Sequence, residues 1–182
     1  MSHQMWWYLA RASGIVAWAL LVASLVWGVL LATRVLRPHD RPAWLLDLHR
    51  WLGGLAMAMV GLHVGSLIGD SFVHFGAADV LVPFASSWKP APVALGVLSL
   101  YVLAAVEVTS LAMRKLSRRA WRGVHLTSYG LVWLVSLHAG LAGTDVFNLA
   151  YRGVAAVLLV AAMAATYVAL LAPRRRRRPV AA

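Results

Sequence analysis

Seven histidines occur in the 182 residues. Four of them stand inside apolar, helix-length stretches at matched spacing. His49 and His63 are 14 positions apart, in a stretch running from Leu48-His49-Arg50-Trp51-Leu52-Gly53-Gly54 to Leu62-His63-Val64-Gly65. His125 and His138 are 13 apart, from Val124-His125-Leu126 to Leu137-His138-Ala139-Gly140. Each stretch ends in a small-residue turn with an acid, Gly69-Asp70 and Gly143-Thr144-Asp145. Neutral imidazole is a good iron ligand, and two imidazoles leave a haem iron six-coordinate. On an ideal helix the two separations rise about 21 and 19.5 Å. Two helices carrying these pairs side by side would hold two haems, one near each face of a bilayer. Ionisable groups in a membrane interior are expensive and mark function. The spacing alone leaves three other readings open: a proton pathway, a transition-metal path, or a structural role.

The composition demands a membrane. The chain is 62% hydrophobic, only 13% charged, and contains nine Trp. A soluble domain of this size carries about twice that charge. The net charge of +11 does not indicate nucleic acid, because Arg and Lys cluster in short segments between long apolar runs, as orientation signals do. With no Cys there is no disulfide, no Cys-ligated cluster and no thiolate haem ligand. No signal peptide is expected, because the first apolar run is too long for one.

Five apolar segments each approach the ~20 residues needed to span a bilayer, at about Trp7–Ala32, Trp44–Ile68, Pro92–Met113, Trp121–Ala142 and Ala150–Leu171. Helices are expected, since an open sheet edge cannot be satisfied in lipid. The fold class is therefore an all-α, five-span bundle. Arg34, Arg37, Arg41 and Arg50 surround the first connection, Arg114, Lys115, Arg118, Arg119 and Arg122 the third, and Arg174 to Arg178 the tail. This predicts an outside N-terminus and a cytoplasmic C-terminus. Residues 1–172 form the membrane domain and 173–182 a polybasic tail suited to anionic lipid. The connection from Gly69 to Ala91 carries Phe72, Phe75, Val80, Leu81, Val82 and Phe84, so it is expected to lie on the outer membrane surface or cover the bundle.

The second and fourth spans run in the same direction, so His49 pairs in depth with His125, and His63 with His138. Fourteen residues return to within about 40° of one helix face, but 13 miss by about 140°. The fourth span therefore needs a tilt, a kink or a local π-turn to aim both rings inward. Gly53, Gly54, Gly61 and Gly65 accompany the first pair, and Gly123, Gly130 and Gly140 the second. A flat macrocycle needs small residues where it approaches backbone, although such glycines also serve ordinary contacts between membrane helices.

The Asp47-Leu48-His49-Arg50-Trp51-Leu52-Gly53 stretch with His63, and the Trp121-Arg122-Gly123-Val124-His125 stretch with Tyr129 and His138, resemble the ferric reductase-like transmembrane domain. That superfamily includes ferric reductases, the membrane part of NADPH oxidases, and the haem subunit of a bacterial methionine-sulfoxide-repair system. The resemblance runs from about Trp7 to Leu171. It implies two bis-His haem b groups, with His49 and His125 on the cytoplasmic-side haem and His63 and His138 on the outer one. It also implies transmembrane electron transfer to an external acceptor, ferric iron or a partner protein. Full-length eukaryotic members append a flavin and nicotinamide domain, and this chain shows no such site. The donor is then a separate flavoprotein reductase or quinol. The chain reads as an oxidoreductase component in a bacterial cytoplasmic membrane. Two alternatives stand: a quinone-linked haem anchor for another oxidoreductase subunit, and a non-haem His-lined proton or metal-ion pathway.

Residues of second rank are charged or polar. Arg50 and Arg122 near the cytoplasmic pair, and Arg11 at the outer end of the first span, suit haem carboxylates. Positive-inside topology and snorkelling explain them as well. Glu107, near the cytoplasmic end of the third span, accepts a proton, pairs with an Arg or snorkels. Tyr129 is expected to pack as an aromatic. His74, Asp70, Asp79 and Asp145 are expected in a solvated outer region, and Met57, Met59 and Met113 as core filling.

Overall fold

The computed structural model describes residues 3–39, 41–70 and 73–172. Among these there is no strand. The elements are α1 (His3–Thr33), α2 (Pro42–Gly69), α3 (Ala77–Leu81), α4 (Pro90–Leu111), α5 (Arg118–Leu126), α6 (Ser128–Ala142) and α7 (Leu149–Leu171). Five segments are long and apolar enough to cross a membrane: α1, α2, α4, α5 with α6, and α7. They coincide with the five expected spans. The polybasic tail and Phe72 lie outside the described residues.

The helix starts follow local chemistry. Pro42 and Pro90 stand at the first positions of α2 and α4, where a missing N–H costs nothing. The Ser117 hydroxyl accepts from Ala120 N at 3.2 Å to begin α5. The Asn148 side chain accepts from Ala150 N at 2.9 Å to begin α7. Inside lipid every backbone group must be paired within the chain, and the long helices meet that demand.

α1 is the hub. It packs most extensively on α2 and also meets α6 and α7, while α4 packs chiefly on α6. Its side chains Trp18, Leu21, Val22, Leu25 and Val29 join Ala56 of α2, Leu103 of α4, Leu131 and Val132 of α6, and Ala162 and Ala165 of α7 in one core. The connection between α2 and α4 forms a second, smaller cluster. Phe75 and Val80 are buried with Val93 and Val97 of α4, and Trp88 packs against them. Phe75 and Val80 thus cover the bundle, whereas Leu81, Val82 and Phe84 of the same connection are exposed; the connection also contains the short α3, which its residues did not announce.

The fourth span carries a distortion of the kind its 13-residue histidine separation calls for. It is not a continuous helix, because Thr127 separates α5 from α6. Its amide bonds Val124 O at 3.0 Å, a tighter turn than the α-helical one, and its hydroxyl bonds the same carbonyl at 2.6 Å. Threonine competes with the helix for its own backbone. The tightened turn at Thr127 changes the phase of α6 relative to α5, as a separation of 13 residues needs.

The basic connections around Arg37 and Arg114 lie at one end of the bundle, and α3 lies at the other. The natural chain has no Cys, so single cysteines report sidedness cleanly. With a membrane-impermeant maleimide, Phe147→Cys should label in intact cells and Leu116→Cys only after permeabilisation. The reverse pattern would invert the topology.

Candidate functional site

The four histidines of the two matched stretches come together as two facing pairs. His49 and His125 have ring centres 5.9 Å apart with planes at 79°. His63 and His138 have ring centres 6.4 Å apart with planes at 80°. Two imidazoles on opposite faces of one metal, with bonds of about 2 Å and about 1 Å more from each nitrogen to its ring centre, put those centres roughly 6 Å apart. Both pairs meet that spacing. Among the described residues, no group of three or more His, Cys, Asp or Glu is placed to hold a metal ion. Two imidazoles per pair suit a metal that arrives with its other donors already attached, as in a macrocycle.

Each ring is anchored through Nδ1. His63 Nδ1 donates to Ala10 O at 2.7 Å, His138 Nδ1 to Pro92 O at 2.8 Å, and His49 Nδ1 to Ser24 O at 3.0 Å. A carbonyl only accepts, so Nδ1 carries the proton and Nε2 is left with its lone pair free for a metal. Four residues beyond each of these carbonyls stands a glycine. A Cβ on Gly14 would lie 3.0 Å from the His63 ring, one on Gly28 3.2 Å from the His49 ring, and one on Gly96 2.8 Å from the His138 ring. The carbonyl at position i already accepts from the amide at i+4 in its own helix. Glycine at i+4 removes the side chain that would shield the carbonyl from the incoming ring. His125 departs from this pattern, since its Nδ1 meets the Ser110 hydroxyl at 3.4 Å.

These three glycines are not the ones the sequence singled out. Gly54, Gly61, Gly65, Gly123, Gly130 and Gly140 have open space where a Cβ would stand, and Gly53 faces the Glu107 carboxyl instead. A signal was present. Gly14 and Gly28 are 14 apart, like His49 and His63 on the antiparallel neighbour, so the separation repeats across the α1–α2 interface. Trp121, which the sequence places only at the start of the fourth span, also belongs to the site. Its indole stacks on the His125 ring, with centres 5.1 Å apart and planes at 24°.

The His63–His138 pair opens into a cavity of about 280 Å³ between α1, α2, α4 and α6, beneath Phe75, Val80 and Trp88. Its polar end holds Arg11, Asp70, Thr144 and Asp145. Arg11 is engaged in a two-pronged ion pair with Asp145, with Nε to Oδ2 at 2.6 Å, and it lies 3.8 Å from the Trp7 ring centre. Arg50 and Arg122 are exposed. Arg50 stands 3.7 Å from Asp47 of its own helix, a surface pair of small value. Asp79 accepts from Gly76 N at 2.7 Å, His74 is exposed, and Asp70 is buried. The outer acids and His74 do not gather into a metal site. Met57 packs against the core, and Met113 is exposed.

A family model, the ferric reductase like transmembrane component, matches residues 13–137, more than half of the chain. The chain belongs to that family. The matched region holds Gly14, Gly28, His49, His63, Gly96 and His125 and stops one residue short of His138. No individual curated protein and no solved structure matches. Ferric reductase-like transmembrane domains are multi-pass membrane proteins of transmembrane electron transfer that work with redox partners and commonly bind haem.

The ring-on-glycine contact predicts a sign reversal. Gly96→Ala should lower the thermal stability of the detergent-solubilised protein, by about 1–3 kcal/mol for the overpacked ring. In a His138→Ala background the same change should be neutral or stabilising by up to about 1 kcal/mol, through helix propensity. A double-mutant cycle measures that coupling, and additive effects would show that ring and glycine do not press on each other.

Proposed function

We propose that this protein is a di-haem b-type electron conduit, with one haem held by His49 and His125 and the other by His63 and His138. The observation that carries the reading is the pairing itself: four imidazoles at metal-bridging distance, three with Nδ1 spent on a backbone carbonyl. Haem b, when bound, supplies one-electron exchange between ferric and ferrous iron. The protein's own part is positional. Nδ1–H···O=C bonds hold the rings and raise their basicity. Burial keeps the sites dry.

The space between the pairs favours electrons over ions. Halfway between Gly14 and Gly28 on α1 is Leu21, and halfway between His49 and His63 on α2 is Ala56. Leu103 stands midway between Gly96 and Ser110 on α4, and Leu131 lies between His125 and His138 on α6. These four residues are 7%, 0%, 3% and 2% exposed. A proton or metal-ion path would need polar groups there.

The His49–His125 pair lies toward the basic end, which the distribution of Arg and Lys assigns to the cytoplasm. Electrons would enter there from a separate flavoprotein reductase or quinol and leave at the His63–His138 pair for ferric iron or a partner protein. Arg50 and Arg122, both at the surface of the basic end, are available to haem carboxylates. Arg11 would reach a carboxylate only by sharing or leaving Asp145.

A pyridine haemochrome assay and a reduced-minus-oxidised spectrum of the purified protein should give two b-type haems per chain. His63→Ala or His138→Ala should remove one haem and retain the other. Unchanged haem content in either variant would break the pairing, and a haem-free wild type, expressed with ample haem, would return the protein to the ion-path reading.

A further inference from the structure

Glu107 is a carboxyl inside the bundle for which the reading above has no task. It lies on α4, partly buried. Its Oε1 rests on the α2 backbone: a Cβ on Gly53 would stand 2.6 Å away. No cation lies within ion-pair distance of it and no hydrogen bond reaches its side chain among the described residues. It does not snorkel to an arginine. Its place is set by the register of α4. Gly96 and Ser110 are 14 apart and face His138 and His125 respectively. Three residues before each stand Val93 and Glu107, and Val93 lines the cavity of the His63–His138 pair. Glu107 therefore takes, beside the His49–His125 pair, the place that an apolar valine has beside the other. Gly53, which it touches, is one turn from His49.

We propose that Glu107 is the proton-accepting partner of the His49–His125 site, binding one proton for each electron that site receives. The proposal rests on the two-haem reading. A carboxylate in a low-dielectric interior is costly without a counter-charge. Glu107 as carboxylate would offset the single positive charge that a ferric haem would carry at its centre between the two neutral imidazoles of His49 and His125. One electron from the flavin or quinol donor would cancel that charge and leave the carboxylate uncompensated. Glu107 then takes one proton from water at a carboxylate oxygen. When the electron moves on to the far pair, the proton is released. Leu103, one turn along α4 toward the far pair, belongs to the dry layer described above, so the proton comes from and returns to the basic end.

The groups on the packed elements leave this task to Glu107. His49 of α2 and His125 of α5 are given over to the metal. Asp47 and Arg50 of α2 and Arg118, Arg119 and Arg122 of α5 are exposed at the surface. Tyr129 of α6 is a phenol, which stays protonated near neutrality. Asp79 of α3 is at the other end, on Gly76 N, and Tyr101 of α4 is bonded to Leu81 O.

The test uses full-length protein loaded with haem, in a His63→Ala background so that only the His49–His125 haem titrates. Its midpoint potential is followed by absorbance against pH. One proton per electron lowers that potential by up to about 59 mV for each tenfold fall in proton activity. Glu107→Gln should abolish the slope and Glu107→Asp should keep it. The reduced-minus-oxidised infrared spectrum should gain a protonated-carboxyl band that shifts in heavy water and is missing in Glu107→Gln. A slope that persists in Glu107→Gln, or a pH-independent wild-type potential with haem present, overturns the role of Glu107 and leaves the two-haem reading standing. Should Glu107→Gln not fold, absence of the band from the unsubstituted protein overturns the role equally. Failure of the wild type to bind haem overturns the reading beneath it.

Discussion

Three imidazole rings each need a hydrogen-bond acceptor deep in an apolar bundle, and the acceptors within reach are helix carbonyls already bonded in their own helices. Sharing such a carbonyl requires the neighbouring helix to come close enough for the Nδ1 edge of a ring to reach its backbone. Glycine four residues after the carbonyl is what permits the approach. Ala10 with Gly14, Ser24 with Gly28, and Pro92 with Gly96 repeat this device three times. It fixes the distance from α2 to α1 and from α6 to α4, makes α1 the hub, and selects the tautomer of each ring. The fourth ring is held differently. Ser110 stands where the register of α4 would put a glycine, and its hydroxyl, not a carbonyl, meets His125.

Much of this was legible in the chain. The five spans follow from hydropathy and length, and their limits moved by only a few residues, since Pro42, Pro90 and Asn148 announce helix starts. The histidine pairs followed from 14- and 13-residue spacing on two parallel helices. The required distortion of the fourth span could be stated as a need but not placed, because Thr127 is an unremarkable residue until its hydroxyl turns back on Val124. The glycines show where reading one helix at a time fails. A glycine matters through the side chain that faces it from another helix. Gly54, Gly61 and Gly65 share a helix with two of the rings yet meet no neighbouring side chain, while Gly14, Gly28 and Gly96 belong to helices that carry none of the four histidines.

The two pairs have unlike surroundings. The far pair sits in a roofed cavity whose polar end holds the Arg11–Asp145 ion pair and the buried Asp70. The pair at the basic end sits under the short helix α5, whose exposed face carries Arg118, Arg119 and Arg122 and whose inner face sets the Trp121 indole against His125. The far end has one internal ion pair, Arg11 with Asp145, whereas the basic end presents exposed cations and the Glu107 carboxyl.

The apolar layer made by Leu21, Ala56, Leu103 and Leu131 has an electrical consequence. Its four side chains are buried midway between the two histidine pairs, so part of any transmembrane voltage falls across it. On the proposed reading, an electron that crosses this layer moves without a companion ion, so each turnover charges the membrane as a capacitor plate is charged. The work is about 2.3 kcal/mol per elementary charge for every 100 mV. A cell interior held negative drives such an electron outward. On that reading the resting voltage of the host membrane is part of the driving force, and four buried apolar side chains leave the current to electrons alone.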